Sequence, residues 1–158
     1  MKHFILLLIF STLQFYAIRA DSLIVYDAPK GITPAPEFEL EVNGQNVFVY
    51  NTPSAAYACF SFEGKATVKV TFMAPVYNYD IRPKSRMIEG EFYRKQISFL
   101  LTKPENLSVE INKNLKRPLL IFANPIETNI PDKKDANVIY FEGGKIYTPG
   151  IVQLQNNQ

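Results

Sequence analysis

Apolar and polar positions alternate along most of the chain, which is the pattern of β-strands that bury one face. The alternation is clearest in residues 38–42, where Phe38, Leu40 and Val42 share one face and glutamates take the other. Residues 66–73 repeat it. Similar runs occupy residues 23–26, 47–50, 57–62, 77–82, 96–101, 107–112 and 119–123. Since no window holds a sustained helical period, the pattern predicts an all-β domain of about eight short strands.

Turn residues between these runs predict how the strands connect. Asn43-Gly44 is a strong hairpin signal because both residues tolerate the positive φ of a type I′ turn, so residues 47–50 should pair with 38–42. Two further hairpins are predicted, 57–62 with 66–73 and 96–101 with 107–112. The spacing is that of an immunoglobulin-like or fibronectin-like antiparallel β-sandwich over residues 21–124.

The pattern changes after Asn124-Pro125, which ends the last sandwich strand. A crossing rich in Pro, Asp and Lys follows, and residues 138–141 and 151–154 then read as two more short strands. Two strands alone cannot bury an apolar face, so they need a partner surface. Residues 125–158 are therefore interpreted as a linker and the start of a different β architecture.

The same stretch carries a resemblance to a known family. The matching residues are IFANP at 121–125, Glu127, IPD at 130–132, and NVIYF at 137–141 followed by two glycines. They resemble the junction in secreted bacterial pectin-lyase-fold glycoside hydrolases, the polygalacturonase-like family 28 and the dextranase group. A weaker likeness reaches back to Phe38. In those proteins an N-terminal β-sandwich precedes a right-handed parallel β-helix.

That resemblance implies a function for the chain. It would be the non-catalytic N-terminal portion of a polysaccharide-degrading hydrolase, capping a β-helix in cis and carrying its first coil. The family's catalytic acids lie in Asn-Thr-Asp and Asp-Asp motifs of the β-helix, supported by Gly-His-Gly and Arg-Ile-Lys. None of these motifs occurs in this sequence, so no catalytic residue is carried over. The alternatives are a free-standing secreted module that binds a glycan or a protein, and an autonomous small hydrolase.

Residues 1–20 have the form of a signal peptide. Lys2 precedes an apolar core at residues 4–10, and Ala20 offers a small residue for cleavage. An uncleaved anchor is the alternative, but the apolar run is short for a bilayer span. We therefore expect a secreted or periplasmic protein without a membrane span after cleavage.

The charges are nearly balanced, with 17 Lys and Arg against 15 Asp and Glu. Removal of Lys2 and Arg19 with the signal peptide makes the two sets equal, so composition gives no argument for a nucleic-acid partner. Cys59 is the only cysteine and lies in an apolar run, where a small buried side chain is the favoured interpretation.

The sequence contains little evidence for a catalytic site. The only histidine, His3, lies in the signal peptide, so the mature chain has no histidine triad or imidazole metal ligand, and no cofactor motif is found. A carboxylate pair could in principle hydrolyse a glycosidic bond. The acidic residues outside the glutamate strand are favoured as solvated turn residues, and they are Asp80, Glu127, Asp132, Asp135 and Glu142.

One candidate binding site remains, and we call it the tyrosine–arginine patch. Its residues are Tyr77, Tyr79, Arg82, Arg86 and Tyr93. Tyrosine rings can stack on sugars and arginines can form paired hydrogen bonds with carboxylates, so the patch could bind an acidic polysaccharide. Strand tyrosines also pack on neighbouring strands, and arginines also cover solvated turns. The second interpretation is the favoured one.

Overall fold

The computed structural model describes residues 21–154, and within them the chain forms β-strands and one single-turn 3-10 helix, with no α-helix. The prediction of an all-β protein is confirmed. The predicted signal peptide, residues 1–20, lies outside the described residues. The strands are β1 Ser22–Val25, β2 Phe38–Val42, β3 Gln45–Val47, β4 Tyr50–Asn51, β5 Ala56–Glu63, β6 Ala66–Phe72, β7 Tyr79–Arg82, β8 Glu91–Tyr93, β9 Gln96–Leu101, β10 Glu105–Ile111 and β11 Leu119–Pro125.

The strands form two sheets. Sheet A has the order β1-β5-β11-β10-β7, with β4 also pairing with β5, and sheet B has the order β3-β2-β6-β9-β8. Strands β7 and β8 therefore each end their own sheet. The 3-10 helix, Lys84–Arg86, lies in the connection between them.

One hydrophobic core is shared by the two sheets. In β6 the alternate residues Ala66, Val68, Val70 and Phe72 are buried, as the sequence pattern predicts. Phe60 on β5 is fully buried as well, from the other sheet. Each such large side chain contributes about 1.5–3 kcal/mol when removed from water.

The hairpin at Asn43-Gly44 is confirmed. Both residues have positive φ, 47° and 81°, and β3 pairs antiparallel with β2. The strand predicted at residues 47–50 is divided, however. Val47 stays in sheet B, whereas Tyr50 pairs with Tyr57 in sheet A, so the chain changes sheets between them.

The other two predicted hairpins are wrong. Strands β5 and β6 are consecutive but lie in different sheets, and the same is true of β9 and β10. Alternation shows which face of a strand is buried. It does not show whether the next strand pairs with it in the same sheet or faces it across the core, because both arrangements bury one apolar face. The turn at Gly64 therefore carries the chain across the core instead of reversing it within one sheet.

The purely antiparallel sandwich of the sequence interpretation also needs correction. Strand β11 pairs antiparallel with β10 but parallel with β5, over the whole register from Leu119↔Ala56 to Pro125↔Phe62. The last strand within residues 21–154 thus lies at the centre of sheet A.

After Pro125 the architecture changes, as the sequence pattern indicates, but not into strands. Residues 126–154, the C-terminal segment, contain turns and no strand. The strands predicted at residues 138–141 and 151–154 are therefore not formed in this structure. The physical reason is the lack of a neighbour, because a strand needs a partner for its hydrogen bonds and a surface for its apolar face.

No helix within residues 21–154 has the length and apolar character needed to cross a membrane.

Candidate functional site

The tyrosine–arginine patch lies where the edges of the two sheets meet. Tyr79 is on β7 and Tyr93 is on β8, so the patch draws on both sheets. The Tyr79 hydroxyl donates a hydrogen bond to the Gly90 carbonyl, and its ring centroid lies 5.9 Å from that of Phe92. Tyr79 therefore joins the two edges and is a packing residue, the interpretation that the sequence favoured.

The two arginines of the patch are already bound to carboxylates. Arg82 Nε lies 2.9 Å from Glu110 Oε2, and its Nη2 lies 3.8 Å from Asp80 Oδ2. Arg86 Nε lies 3.0 Å from Glu105 Oε2. Both glutamate side chains are buried on β10, and these arginines compensate their charges. Glu105 has a second cation beside it, since Lys103 Nζ lies 3.4 Å from its Oε1. If the Arg82 guanidinium turned to an acidic sugar, the buried Glu110 carboxylate would lose the one ion pair that it forms within the described residues.

The remaining two tyrosines are exposed but separate from each other. Tyr77 makes no ring contact within the described residues, and its backbone N–H donates to Asn112 Oδ1 at 2.8 Å. The Tyr93 ring instead carries the guanidinium of Arg94, 5.0 Å from its centroid. Within the described residues, no ring contact or ion pair joins Tyr77 or Tyr93 to the other three residues of the patch.

A different surface, which the sequence reasoning missed, has the properties expected of a binding site. It lies on the side of sheet A that faces away from the core, and we call it the aromatic face. Its rings belong to Phe48, Tyr50, Tyr57 and Phe122. Tyr50 and Tyr57 are stacked with centroids 4.8 Å apart, Phe48 meets Tyr50 edge-on at 4.8 Å, and Phe122 meets Tyr57 edge-on at 6.4 Å.

The register of sheet A explains why these side chains meet. Tyr50 pairs with Tyr57, and Tyr57 pairs with Leu120. Leu120 in turn pairs with Ser108, and Ser108 with Arg82. All five therefore form one row across five strands, on the face opposite the buried residues of those strands. The row begins with phenol rings and ends at one residue of the predicted patch.

Two open depressions adjoin the aromatic side chains. One, of about 520 Å³, has Leu120 and Phe122 on its floor and Asn106, Ser108 and Arg82 among its lining residues. The other, of about 490 Å³, is lined by Phe48 and Tyr26 near the β2–β3 hairpin. The second depression shares Phe48 with the aromatic face, and its other lining residues come mainly from β2 and β3 of sheet B and from the end of β1.

Partial burial changes the acid–base properties of this face. It raises the pKa of the Tyr50 phenol, with smaller contributions from Tyr57 and Cys59, and it raises the pKa of the Cys59 thiol. Both groups therefore stay protonated and uncharged at neutral pH. Cys59 is half-buried on this outer face, whereas the sequence reasoning placed it in the core.

Sequence reasoning had one signal that could have found the aromatic face. In β5 the inward positions Ala56, Ala58, Phe60 and Phe62 are buried, and the first two alternate positions are Tyr57 and Cys59, ahead of the polar Ser61 and Glu63. Apolar residues on both faces of a strand indicate that each face is covered by another layer or binds a ligand. The sequence alone does not show which strands place their rings beside Tyr57, because that depends on the register of the sheet.

Four of the five candidate carboxylates have local partners. Asp132 and Asp135 each accept a hydrogen bond from a backbone N–H two residues later, which is a local turn function. Asp80 is paired with Lys84, whose hydrogen bond lowers the pKa of Asp80. Glu142 is paired with Lys145. Among residues 21–154 no group of three or more His, Cys, Asp or Glu side chains could hold a metal ion.

Comparison with known proteins gives a structural likeness without a sequence match. No protein-family model and no curated protein matches this sequence. Among solved structures the chain is similar to Dex49A from Penicillium minioluteum, a dextranase, with a TM-score of 0.57 and 14% sequence identity. The likeness covers 72% of this chain and 33% of Dex49A. At this identity it shows a common fold, and the chain spans about a third of that enzyme's length.

Proposed function

We propose that the chain is the non-catalytic N-terminal portion of a secreted polysaccharide-degrading glycoside hydrolase of the pectin-lyase fold, polygalacturonase-like or dextranase-like. Residues 21–124 act as an immunoglobulin-like sandwich that caps a β-helix, and residues 125–158 contain the linker and the residues of its first coil. The substrate is a polysaccharide, reached through a catalytic β-helix domain in cis.

The exposed apolar side chains of the C-terminal segment are the observation that carries this proposal. Phe141, Ile146 and Ile151 are among them, and Ile151 is 90% exposed. The full set of large exposed hydrophobics in the segment is Ile130, Ile139, Tyr140, Phe141, Ile146, Tyr147, Ile151, Val152 and Leu154. So many apolar residues in one segment call for a surface to cover them. The next coil of a β-helix would provide both the apolar cover and the missing strand partners.

The likeness to Dex49A supports the same proposal, because that enzyme is a dextranase and the likeness involves a third of its chain. It also widens the range of substrates, since dextran is an uncharged glucan whereas polygalacturonate is an acidic polymer. The absence of the family's catalytic motifs from this sequence agrees with a portion that performs no chemistry itself.

Sequencing the native transcript through and beyond the codon for Gln158 tests the proposal. We expect an open frame that continues into β-strand repeats with paired aspartates. A stop codon at that point, together with a secreted product of matching mass, would contradict it.

We also propose that the protein is exported and cleaved after Ala20. Asp21 supports this site, because its carboxylate accepts a hydrogen bond from Lys65 N–H at 2.9 Å and so begins the folded domain. Mass spectrometry of the exported protein should give Asp21 as its first residue. A retained N-terminus would support the anchor alternative.

The aromatic face favours a second candidate function, a secreted module that binds a glycan without cleaving it. Stacked and edge-on rings on an outer sheet face are unusual in a surface that only meets water, where polar residues normally alternate with buried ones. This function is compatible with the first, since an accessory domain can hold the substrate for a catalytic neighbour.

A further inference from the structure

We infer that the outer face of sheet A binds an uncharged polysaccharide chain, which lies across the strands from Tyr50 to Arg82. This inference deepens the proposed function and rests on its assignment of a polysaccharide substrate. It names the surface that holds the polymer and the chemical class of the polymer.

The shape of the surface suits a chain of sugars. The row Tyr50, Tyr57, Leu120, Ser108 and Arg82 crosses five strands. At the usual separation of neighbouring strands this is roughly 19 Å. The row is therefore long enough for several sugar units in succession, and an open depression lies beside its Arg82 end.

The side chains along the row match the two kinds of surface that a sugar presents. Leu120 and Phe122 give the 520 Å³ depression an apolar floor on which the C–H face of a pyranose can pack. Asn106 and Ser108 stand beside that floor, and an amide and a hydroxyl can both donate and accept hydrogen bonds. Apolar contact combined with a few such polar groups is typical of small-ligand sites.

The charges favour a neutral polymer over an acidic one. Arg82 is the only charged residue of the row, and it is paired with Glu110 and Asp80. Lys84, on the rim of the same depression, is also paired with Asp80. Two cations and two carboxylates thus cancel at this end, and the rings of the other end carry no charge. The carboxylates of a uronate polymer would lie near Glu110 and Asp80, and both cations of this group of four are already paired.

Affinity electrophoresis of the full chain tests the inference, with dextran, a soluble mixed-linkage β-glucan and polygalacturonate each cast in the gel. We expect retardation by at least one of the two neutral glucans and none by polygalacturonate. Phe122→Ser should weaken the neutral-glucan affinity by roughly tenfold or more, the scale of a central aromatic contact.

Two further variants separate loss of binding from loss of folding. Asn106→Ala removes an exposed amide without touching the core, and we expect an affinity loss of about threefold with an unchanged melting temperature. Tyr77→Ser is the matched control, because Tyr77 is 84% exposed and lies outside the row. It should leave the affinity unchanged.

Three results would overturn the inference: no retardation by either neutral glucan, equal losses in the Tyr77 and Phe122 variants, or retardation by polygalacturonate as strong as that by the neutral glucans. Failure here is distinguishable from failure of the proposed function. If the reading frame continues into a β-helix but neither glucan binds, only the proposed binding surface is disproved. If the transcript stops at Gln158 but binding depends on Phe122, only the proposed catalytic domain in cis is disproved.

Discussion

The strands up to Pro125 and the C-terminal segment after it contain similar sequence patterns with different outcomes. Residues 66–72 alternate and become β6, which is paired on both sides by β2 and β9 and buries its apolar face. Residues 138–141 are equally apolar and β-branched or aromatic, yet they form no strand, and Ile139, Tyr140 and Phe141 stay largely exposed.

The difference lies in the neighbours, not in the local pattern. An extended stretch gains stability when flanking strands take its hydrogen bonds and a facing layer takes its side chains. Strand β6 has both. The C-terminal segment has neither within residues 21–154, so its side chains should contribute little to the stability of the two-sheet domain.

Truncation of one aromatic ring in each region gives the largest expected contrast. Phe60→Ala removes a fully buried ring from the shared core and should lower the free energy of unfolding by about 3–5 kcal/mol. Phe141→Ala should lower it by less than about 0.5 kcal/mol, because Phe141 is 46% exposed and contacts the ring of Tyr147 in its own segment. Urea unfolding monitored by circular dichroism measures both. Equal losses would mean that the C-terminal segment folds as part of the domain.

The next contrast uses a cation from each region. Arg117 forms two hydrogen bonds with Glu37, at 2.9 and 3.3 Å, and also donates to Thr52 O and Asn51 Oδ1. It thereby connects the start of β2 in sheet B with the end of β4 in sheet A. We expect Arg117→Met to cost about 1–3 kcal/mol of unfolding free energy.

Lys145→Met is the matched control, since Lys145 pairs with Glu142 within the C-terminal segment. It should leave the urea midpoint of the domain unchanged. If the two variants behaved alike, the contacts of Arg117 would not link the sheets in solution.

Glycine substitutions sharpen the comparison at a smaller scale. Gly64 has φ of +82°, and a Cβ there would overlap Asp21 Oδ1, so Gly64→Ala should cost about 1–2 kcal/mol. Gly144 has a similar φ of +74° but open space around it, and it lies in the C-terminal segment. Gly144→Ala should therefore not change the melting temperature of the domain. A drop comparable to that of Gly64→Ala would place the turn at Gly144 inside the cooperative unit.

The pH dependence of stability provides the smallest effect. The hydrogen bond from Arg117 lowers the pKa of Glu37 below its usual 4.5 in the folded chain. Glu37 therefore contributes stability above pH 4.5, and the contribution disappears as the pH falls through the folded-state pKa. Because Glu37 is partly exposed, we expect the effect to stay below about 1 kcal/mol.

The stability difference between the wild type and Glu37→Gln should consequently be larger at pH 7 than at pH 2.5. The pairing with Lys145 also lowers the pKa of Glu142, but Glu142→Gln should show no such difference at either pH. Thermal unfolding at the two pH values checks both variants. A pH-dependent effect of Glu142→Gln would show that its segment unfolds together with the domain.

Much of the fold follows from local sequence, because alternation and turn chemistry are local properties. The positions of β2, β6 and β11 agree with the sequence pattern, and so does the turn at Asn43-Gly44. Strand β8 could not be found in this way, since none of its three residues is buried. The sequence pattern did not predict which strands share a sheet, for another reason. A turn can return the chain to the same sheet or carry it across the core, and the choice depends on the layer that faces the strand.

The candidate site was less accessible from sequence than the fold. Arg82 was correctly located in a strand, but its carboxylate partner Glu110 is 28 residues away and becomes visible only through the pairing of β7 with β10. Likewise, Tyr57 and Phe122 are far apart in sequence and meet because β5 and β11 are parallel neighbours. Sites built from side chains on several strands depend on register, which single-sequence reasoning does not supply.

The central position of β11 also sets the order in which the domain can be made. As the chain leaves the ribosome, every other strand of sheet A emerges before β11, yet β5 and β10 have no direct pairing with each other and wait for it. Closure of the sheet therefore requires contacts between distant parts of the chain, which makes folding slow. Until then the two inner edges of β5 and β10 stay open in the nascent protein, and open strand edges promote aggregation.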